Sequence, residues 1–262
     1  TGSNKAQVRG YFDDKNVLDH VETRIDNNVI GDIDYTVAFT DYKDFGGVKF
    51  PGHIVQKQGG FPVLDLTISD VKPNVTANIV APAGGRGGAP APATGGPPTE
   101  KLGEGVYLIL GGYAAIAVDM GDHITVVEGP QGDDRANAII AKAKELIPGK
   151  PITELVNTHA HFDHSGGVRA FEAEGATIIT HEVNKPYYER LNKNPHTIAP
   201  DRFAKNPKKV VFKTVKDKMT LTGGSNTIEL YHQENFGHHD GMLLVYFPKL
   251  KVLLEADGYN PA

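Results

Sequence analysis

One short segment of the sequence contains four side chains of the kinds that bind metal ions. His159, His161, Asp163 and His164 form the pattern H-x-H-x-D-H. In an extended loop, residues two positions apart point the same way, so His159 and His161 can converge on one ion. Asp163 and His164 can then turn toward a neighbouring ion. The spacing therefore predicts a site for two metal ions rather than a solvated, histidine-rich loop.

The available donor atoms narrow the choice of metal. The sequence contains no cysteine, which excludes thiolate zinc sites, disulfide bonds and a cysteine nucleophile. Imidazole and carboxylate groups are zinc ligands, and catalytic zinc sites keep one position open for water. We therefore expect zinc held by histidine and carboxylate. Asp163 is the candidate catalytic residue, because a carboxylate beside the metal can orient water or move its proton.

Three motifs carry a resemblance to a known family. They are T-H-A-H-F-D-H-S-G-G over residues 158–167, G-H-H-D-G-M-L-L-V-Y-F-P over residues 237–248, and Asp257 after K-V-L-L-E-A. In these motifs the chain, from about Gly103 to its end, resembles the metallo-β-lactamase superfamily. The resemblance implies two zinc ions in one site. The ligands that it implies are His159, His161 and His238 for the first ion and Asp163, His164 and a bridging Asp257 for the second.

Two of these ligands have local alternatives. His239 could replace His238, but the glycine before His238 and its distance from the following strand favour His238. Asp257 alone would be interpreted as a turn residue, because Asp-Gly is a common turn pair. Its position after the second histidine motif favours a role as a ligand.

The other histidines have weaker claims to function. Structural roles are the plainer interpretation for His20, His53, His123 and His232. Candidates for a substrate wall are His181 and His196, which lie between the metal motifs. Tyr187 and Tyr188 could also line a pocket, although an exposed pair is the plainer interpretation.

Composition divides the chain into three parts. Residues 81–102 are rich in Gly, Pro and Ala, which predicts a linker because such a segment buries too little to offset its ordering entropy. Residues 1–80 contain short alternating segments between turn residues, typical of an antiparallel β-meander domain. Within them, D-Y-K-D-F-G-G-V-K-F-P-G-H-I-V-Q resembles the strand–turn–strand units of lipoprotein-carrier-like β domains. Residues 103–262 form the metallo-β-lactamase-like domain.

That last part combines strands and helices. Ile139, Ile140 and Ala143 recur at helical spacing and predict a helix over Asp133–Ile147, with Asp133 or Asp134 as its cap. A strand over Ile152–Asn157 then delivers the chain to the histidine loop. After a further short helix and strand, we expect a polar helical or irregular stretch up to Thr227. The pattern indicates an α/β sandwich of layers, and the resemblance implies the αββα arrangement.

Composition also limits the partners. The formal net charge is −5 with no block of Lys or Arg, which argues against nucleic acid. The longest apolar stretch, residues 105–118, is too short for a membrane span of roughly 20 residues. We expect a small-molecule substrate. Because the sequence begins without Met, its start is interpreted as a processing boundary, and we expect a periplasmic or secreted protein.

The leading hypothesis is a zinc-dependent hydrolase of a carbonyl substrate, such as a β-lactam, a lactone or a thioester. A phosphodiesterase of the same fold is an alternative, less favoured because no basic cluster near the motifs predicts a phosphate clamp. A non-catalytic binding or scaffold protein with a degenerate metal site is a second alternative. The intact motif argues against it, since a structural site needs no open two-metal arrangement.

A further expectation concerns the end of the chain. Proteins of the resembling family continue past the bridging aspartate to a final metal-binding histidine, whereas this sequence stops five residues after Asp257. We therefore expect the metallo-β-lactamase-like domain to be incomplete and its second metal site to be weakened. The exposed sheet edge that would result invites pairing with another chain, which predicts a possible homo-oligomer.

Overall fold

The structure is a computed structural model that describes residues 7–76 and 96–259. Residues 7–27 and 32–76 form one compact unit, and Asn28–Gly31 with residues 96–259 form a second. Residues 81–95 of the predicted linker lie outside the described residues. Its last part is not a linker, because Thr99–Gly103 is a strand.

The described residues of the first unit contain strands and no helix. Five of the strands form one sheet in the order first, second, third, sixth and seventh, and the other two form a separate hairpin. The first strand pairs with the second, the third with the sixth, the fourth with the fifth and the sixth with the seventh, in each case antiparallel. A small antiparallel β domain before the α/β part was predicted, and it is confirmed. The strands are Arg9–Phe12 (β1), Leu18–Asn27 (β2), Gly31–Thr40 (β3), Lys43–Phe45 (β4), Val48–Phe50 (β5), His53–Gln58 (β6) and Phe61–Thr67 (β7).

The second unit contains a seven-stranded sheet and a four-stranded sheet. The strands of the larger sheet are Thr99–Gly103 (β8), Val106–Ile109 (β9), Ala115–Asp119 (β10), Ile124–Val127 (β11), Ile152–Val156 (β12), Thr177–His181 (β13) and Val211–Val215 (β14). They lie in the order β14-β13-β12-β11-β10-β9-β8. Pairing is parallel from β11 to β14 and antiparallel from β8 to β11.

The smaller sheet is antiparallel throughout. Its strands, in spatial order, are Lys218–Gly223 (β15), Asn226–His232 (β16), Leu243–Phe247 (β17) and Val252–Leu254 (β18). The expectation of a polar helical or irregular stretch up to Thr227 is wrong for its second half. Val211–Val215 and Lys218–Gly223 are strands there. The first lacks regular alternation, whereas Lys218–Thr222 alternates exposed polar with less exposed apolar residues. That alternation is typical of a half-buried strand and was overlooked.

The α-helices of the second unit are Asp133–Leu146 (α1), Phe162–Ser165 (α2), Val168–Glu174 (α3), Lys185–Leu191 (α4) and Arg202–Lys205 (α5), and a 3-10 helix over Glu182–Asn184 precedes α4. The first matches the predicted helix, with Ile139, Ile140 and Ala143 buried. Gly132, rather than an aspartate, is its N-cap. Asp133 and Asp134 lie in the first turn, where their negative charge interacts favourably with the helix dipole and stabilises the helix.

The core has two parts, one on each face of the larger sheet. Side chains of β10 alternate between them: Ala115 and Ala117 pack with the helices, whereas Ile116 and Val118 pack against the smaller sheet. A strand that is covered on both faces is apolar at every position, which explains the continuous run A-I-A-V. The predicted α/β sandwich of layers is confirmed. The described residues supply one helical layer and both sheets.

The parallel part of the larger sheet brings chain segments together at one edge. Glu128 directly follows β11, the H-x-H-x-D-H loop begins three residues after the end of β12, and His181 is the last residue of β13. In open α/β sheets such an edge is where ligands commonly bind. Each helix among the described residues is too short or too polar to cross a lipid bilayer.

Candidate metal centre

The histidine loop begins where β12 ends. Asn157 and His159 are fully buried, and His161 is extended just before α2. The Asn157 side-chain amide donates a hydrogen bond to the His164 carbonyl at 2.9 Å. The hydroxyl of Tyr188 donates to the Asn157 side-chain oxygen. The first bond joins the two ends of the loop and the second holds Asn157 to α4, so that the side chains of the loop project from a fixed backbone.

The two glycines that follow the loop are required for close packing. A Cβ on Gly166 would lie 2.1 Å from the Gln131 carbonyl oxygen, and a Cβ on Gly167 would lie 2.6 Å from the Ala136 Cβ. Both distances are far below van der Waals contact. The glycines therefore let the junction of α2 and α3 pack directly on the start of α1.

A first group of ligand atoms converges at the mouth of this loop. Single atoms of His159, His161, His238 and Asp257 all lie within 4.8 Å of one another. His159 Nε2 is 3.1 Å from His161 Nδ1, which is 2.9 Å from His238 Nε2. Nitrogen atoms bound to one tetrahedral zinc at about 2.0–2.1 Å lie roughly 3.3 Å apart. The spacing is thus close to what one zinc ion requires.

A second group adjoins the first and consists of Asp163, His164 and Asp257. His164 Nε2 is 3.1 Å from Asp257 Oδ2 and 3.8 Å from Asp163 Oδ2. Within the described part of the chain this buried nitrogen makes no hydrogen bond, a deficiency that a metal ion would remove. Asp257 Oδ2 is also 3.1 Å from His238 Nε2. Asp257 therefore lies between the two groups, as a bridging ligand would.

Glu128 contacts the second group through His164 Nδ1, and the sequence analysis did not predict it. Its side chain is buried, with Oε2 2.5 Å from His164 Nδ1, and Oε1 accepts a hydrogen bond from the Thr158 backbone N–H at 2.8 Å. A carboxylate at Nδ1 holds the proton there and leaves Nε2 to face the metal. The available signal was an acidic residue directly after the buried strand I-T-V-V.

The protonation of the histidines differs across the site. Burial, together with the neighbouring imidazoles, lowers the pKa of His159 to about 2, and burial also lowers the pKa of His161. Burial lowers the pKa of His164 as well, but the hydrogen bond and charge of Glu128 outweigh it, and the pKa is raised overall. His159 is therefore neutral at pH 7, the form that binds metal ions. A protonated His164 would release a proton when it binds a metal ion.

His238 lies in the loop between β16 and β17. His232 Nε2 donates to the Asp240 carbonyl at 2.8 Å, and the Gly241 N–H donates to His239 Nδ1 at 2.9 Å. These bonds shape the loop and occupy His239. His238, the residue favoured over His239, is the one that enters the first group.

Among the described residues, the remaining candidates contribute no ligand atom to the two groups. His181 stacks on His232, with ring centroids 3.8 Å apart, and so lies under the loop that carries His238. His196 is buried near Asp201. Tyr188 is also buried, so its interpretation as an exposed residue is wrong. Three histidines pair with carboxylates outside the site, as expected of structural residues: His20 with Asp19, His53 with Asp65 and His123 with Asp122.

A comparison with known protein families identifies the family of this chain. A family model described as the metallo-beta-lactamase superfamily matches residues 121–257, just over half of the chain. The chain belongs to the metallo-β-lactamase superfamily. The match includes the histidine loop, both histidines of the second motif and Asp257. No curated protein matches the chain.

Several solved structures match part of the chain. A metallo-β-lactamase from Pontibacter korlensis is 20% identical, covering 60% of this chain and 69% of its own, with a TM-score of 0.45. A metallo-β-lactamase from Hirschia baltica is 22% identical, with coverages of 60% and 69% and a TM-score of 0.44. The flavodiiron protein from Giardia intestinalis is 19% identical, covering 62% of this chain and 40% of its own, with a TM-score of 0.46.

Proposed function

We propose that this superfamily member is a zinc-dependent hydrolase of carbonyl substrates, such as a β-lactam, a lactone or a thioester. The observation that carries the proposal is the convergence of ligand atoms from three separate chain segments on two adjoining groups. The first zinc ion would be held by His159, His161 and His238, and the second by Asp163, His164 and a bridging Asp257.

Different residues of this chain would have different roles in such a reaction. Bound zinc supplies Lewis acidity, which polarises the oxygen of the scissile bond and lowers the pKa of water. Asp163, half-buried at the mouth of the site, would orient the attacking water and accept its proton. Glu128 would hold the proton of neutral His164 on Nδ1, so that the lone pair of Nε2 faces the second ion, and the burial of His159 would keep its imidazole neutral.

The surroundings of the ligands favour a carbonyl substrate over a phosphodiester. Phe162 and Tyr259, each close in sequence to a carboxylate ligand, are 71% and 73% exposed. The ring of Phe236 lies 6.3 Å from the ring of His238. Such apolar surface suits the acyl part of a neutral substrate, whereas phosphate recognition relies on cationic hydrogen-bond donors.

A substrate panel tests the proposal. Purified protein would be assayed with chromogenic β-lactam, lactone, thioester and phosphodiester substrates, with added zinc and with chelator. The variant with both His159 and His161 changed to Ala is the inactive reference, and His123→Ala is the control for loss of a histidine elsewhere. We expect zinc-dependent hydrolysis of at least one carbonyl substrate. Hydrolysis of the phosphodiester alone would refute the substrate class, and no activity above the reference would refute the hydrolase.

A further inference from the structure

A tyrosine outside the metal motifs contacts the second ligand group. Tyr113 lies in the loop between β9 and β10, and its hydroxyl donates a hydrogen bond to Asp163 Oδ2 at 2.9 Å. Its ring meets the ring of His164 edge-on, with centroids 5.3 Å apart. Tyr113 therefore touches two of the three members of this group from a segment 50 residues away in the chain.

The loop that carries Tyr113 is itself held by α1. Arg135 Nη2 lies 2.7 Å from the Tyr113 carbonyl oxygen and 3.0 Å from that of Leu110. Gly111, with φ +154°, lets the guanidinium lie against the loop, since a Cβ there would be 2.6 Å from Arg135 Cζ. A hydrogen bond from a charged donor is stronger than a neutral one, so Arg135 fixes the backbone from which Tyr113 reaches the site.

We propose that Tyr113 is a positioning residue that sets the orientation of Asp163, with Arg135 acting through it. The inference rests on the proposed metal site. A free aspartate can rotate about two side-chain bonds, and each orientation places its oxygen atoms differently. The bond from Tyr113 selects the orientation in which Oδ2 faces His164 Nε2. Asp163 is thereby arranged before a metal ion or substrate arrives, which lowers the entropy lost on binding.

The role predicts a selective effect on one metal. Tyr113→Phe removes a single oxygen atom and keeps the ring. Loss of an outer-shell partner lowers metal affinity by about 10- to 100-fold, and we expect this loss for the second zinc ion. Affinity for the first ion should stay within about 2-fold, because the contacts of Tyr113 with Asp163 and His164 act on the second group. For a substrate that is bound mainly by other groups, Tyr113→Phe should lower kcat with little change in KM.

Zinc titration against a competing chelator measures both affinities in the full chain. Tyr187→Phe, which also removes one hydroxyl from a half-buried ring, is the matched control, and the thermal midpoint of the metal-free protein checks folding. A selective loss at the second ion in Tyr113→Phe alone would support the role. Equal affinity in wild type and Tyr113→Phe, or an equal loss at both ions, would overturn it. A wild-type chain that takes up no zinc would overturn the proposed function as well.

Arg135→Lys provides a second, independent test. If Arg135 acts through Tyr113, a variant that carries both Arg135→Lys and Tyr113→Phe should bind the second ion no more weakly than Tyr113→Phe alone. The losses in affinity from two residues of one network are not additive. Full addition of the two losses would mean that Arg135 does not act through the tyrosine.

Discussion

Glu128→Gln tests the structure sharply because it preserves shape while changing one hydrogen-bonding group. The carboxylate of Glu128, 3% exposed, accepts from two donors, the backbone N–H of Thr158 and the Nδ1–H of His164. An amide offers one oxygen and one NH2 group. The oxygen can satisfy only one of the two donors, and the NH2 group must face the other.

The two amide orientations have different consequences. If the amide oxygen stays with Thr158, the NH2 group faces His164 Nδ1, which must then accept. The imidazole proton moves to Nε2, the atom that faces Asp257 at 3.1 Å and is expected to bind the second zinc ion. We expect the affinity for that ion to fall at least about 10- to 100-fold. The opposite orientation leaves the Thr158 N–H unsatisfied, which costs about 1–3 kcal/mol of folding free energy.

The assay combines zinc titration with denaturant unfolding of the metal-free protein. Glu154→Gln is the control, since Glu154 also accepts a hydrogen bond, from the Thr125 hydroxyl at 2.8 Å, and lies 3.5 Å from His123. We expect the control to bind both ions normally. If Glu128→Gln binds two zinc ions with wild-type affinity and unfolds at the wild-type denaturant concentration, the assigned role of Glu128 is wrong.

Three further predictions follow from named residues. Changing His159 and His161 together to Ala should abolish zinc binding and hydrolysis, because too few ligands remain for a tetrahedral ion; unchanged zinc by elemental analysis would refute the assignment. Asp163→Asn should lower the turnover number at least about 100-fold, and activity within a few-fold of wild type would show that Asp163 is not catalytic. Burial raises the pKa of Glu172 from 4.5 to about 7, so its stabilising contribution is present below pH 4.5 and lost as the pH rises through 7. Relative to wild type, Glu172→Gln should be equally stable near pH 4 and about 3 kcal/mol more stable at pH 8 by denaturant unfolding; a pH-independent difference would contradict this.

Features encoded within a few consecutive residues could be predicted from the sequence. The spacing of Ile139, Ile140 and Ala143 predicted α1, and the run before the histidine loop predicted β12, because both patterns follow directly from which side chains are buried. The strand β14 could not be predicted in this way, whereas the alternating residues K-M-T-L-T of β15 were overlooked. The stability of β14 depends on pairing with β13, and its exposed residues carry little sign of such pairing.

The metal site shows the same difference between what local sequence predicts and what depends on tertiary contacts. The sequence by itself determined the ligand types and the local spacing of His159, His161 and Asp163, because neighbouring residues on one loop need no tertiary contact to face one site. Only the tertiary structure decided which residues orient those ligands. Glu128 and Tyr113 come from a strand end and a loop 36 and 50 residues before the ligands that they contact. Their contacts arise because β11 and β12 are adjacent in the sheet and because α1 holds the loop after β9, and neither relationship has a local signal in the chain.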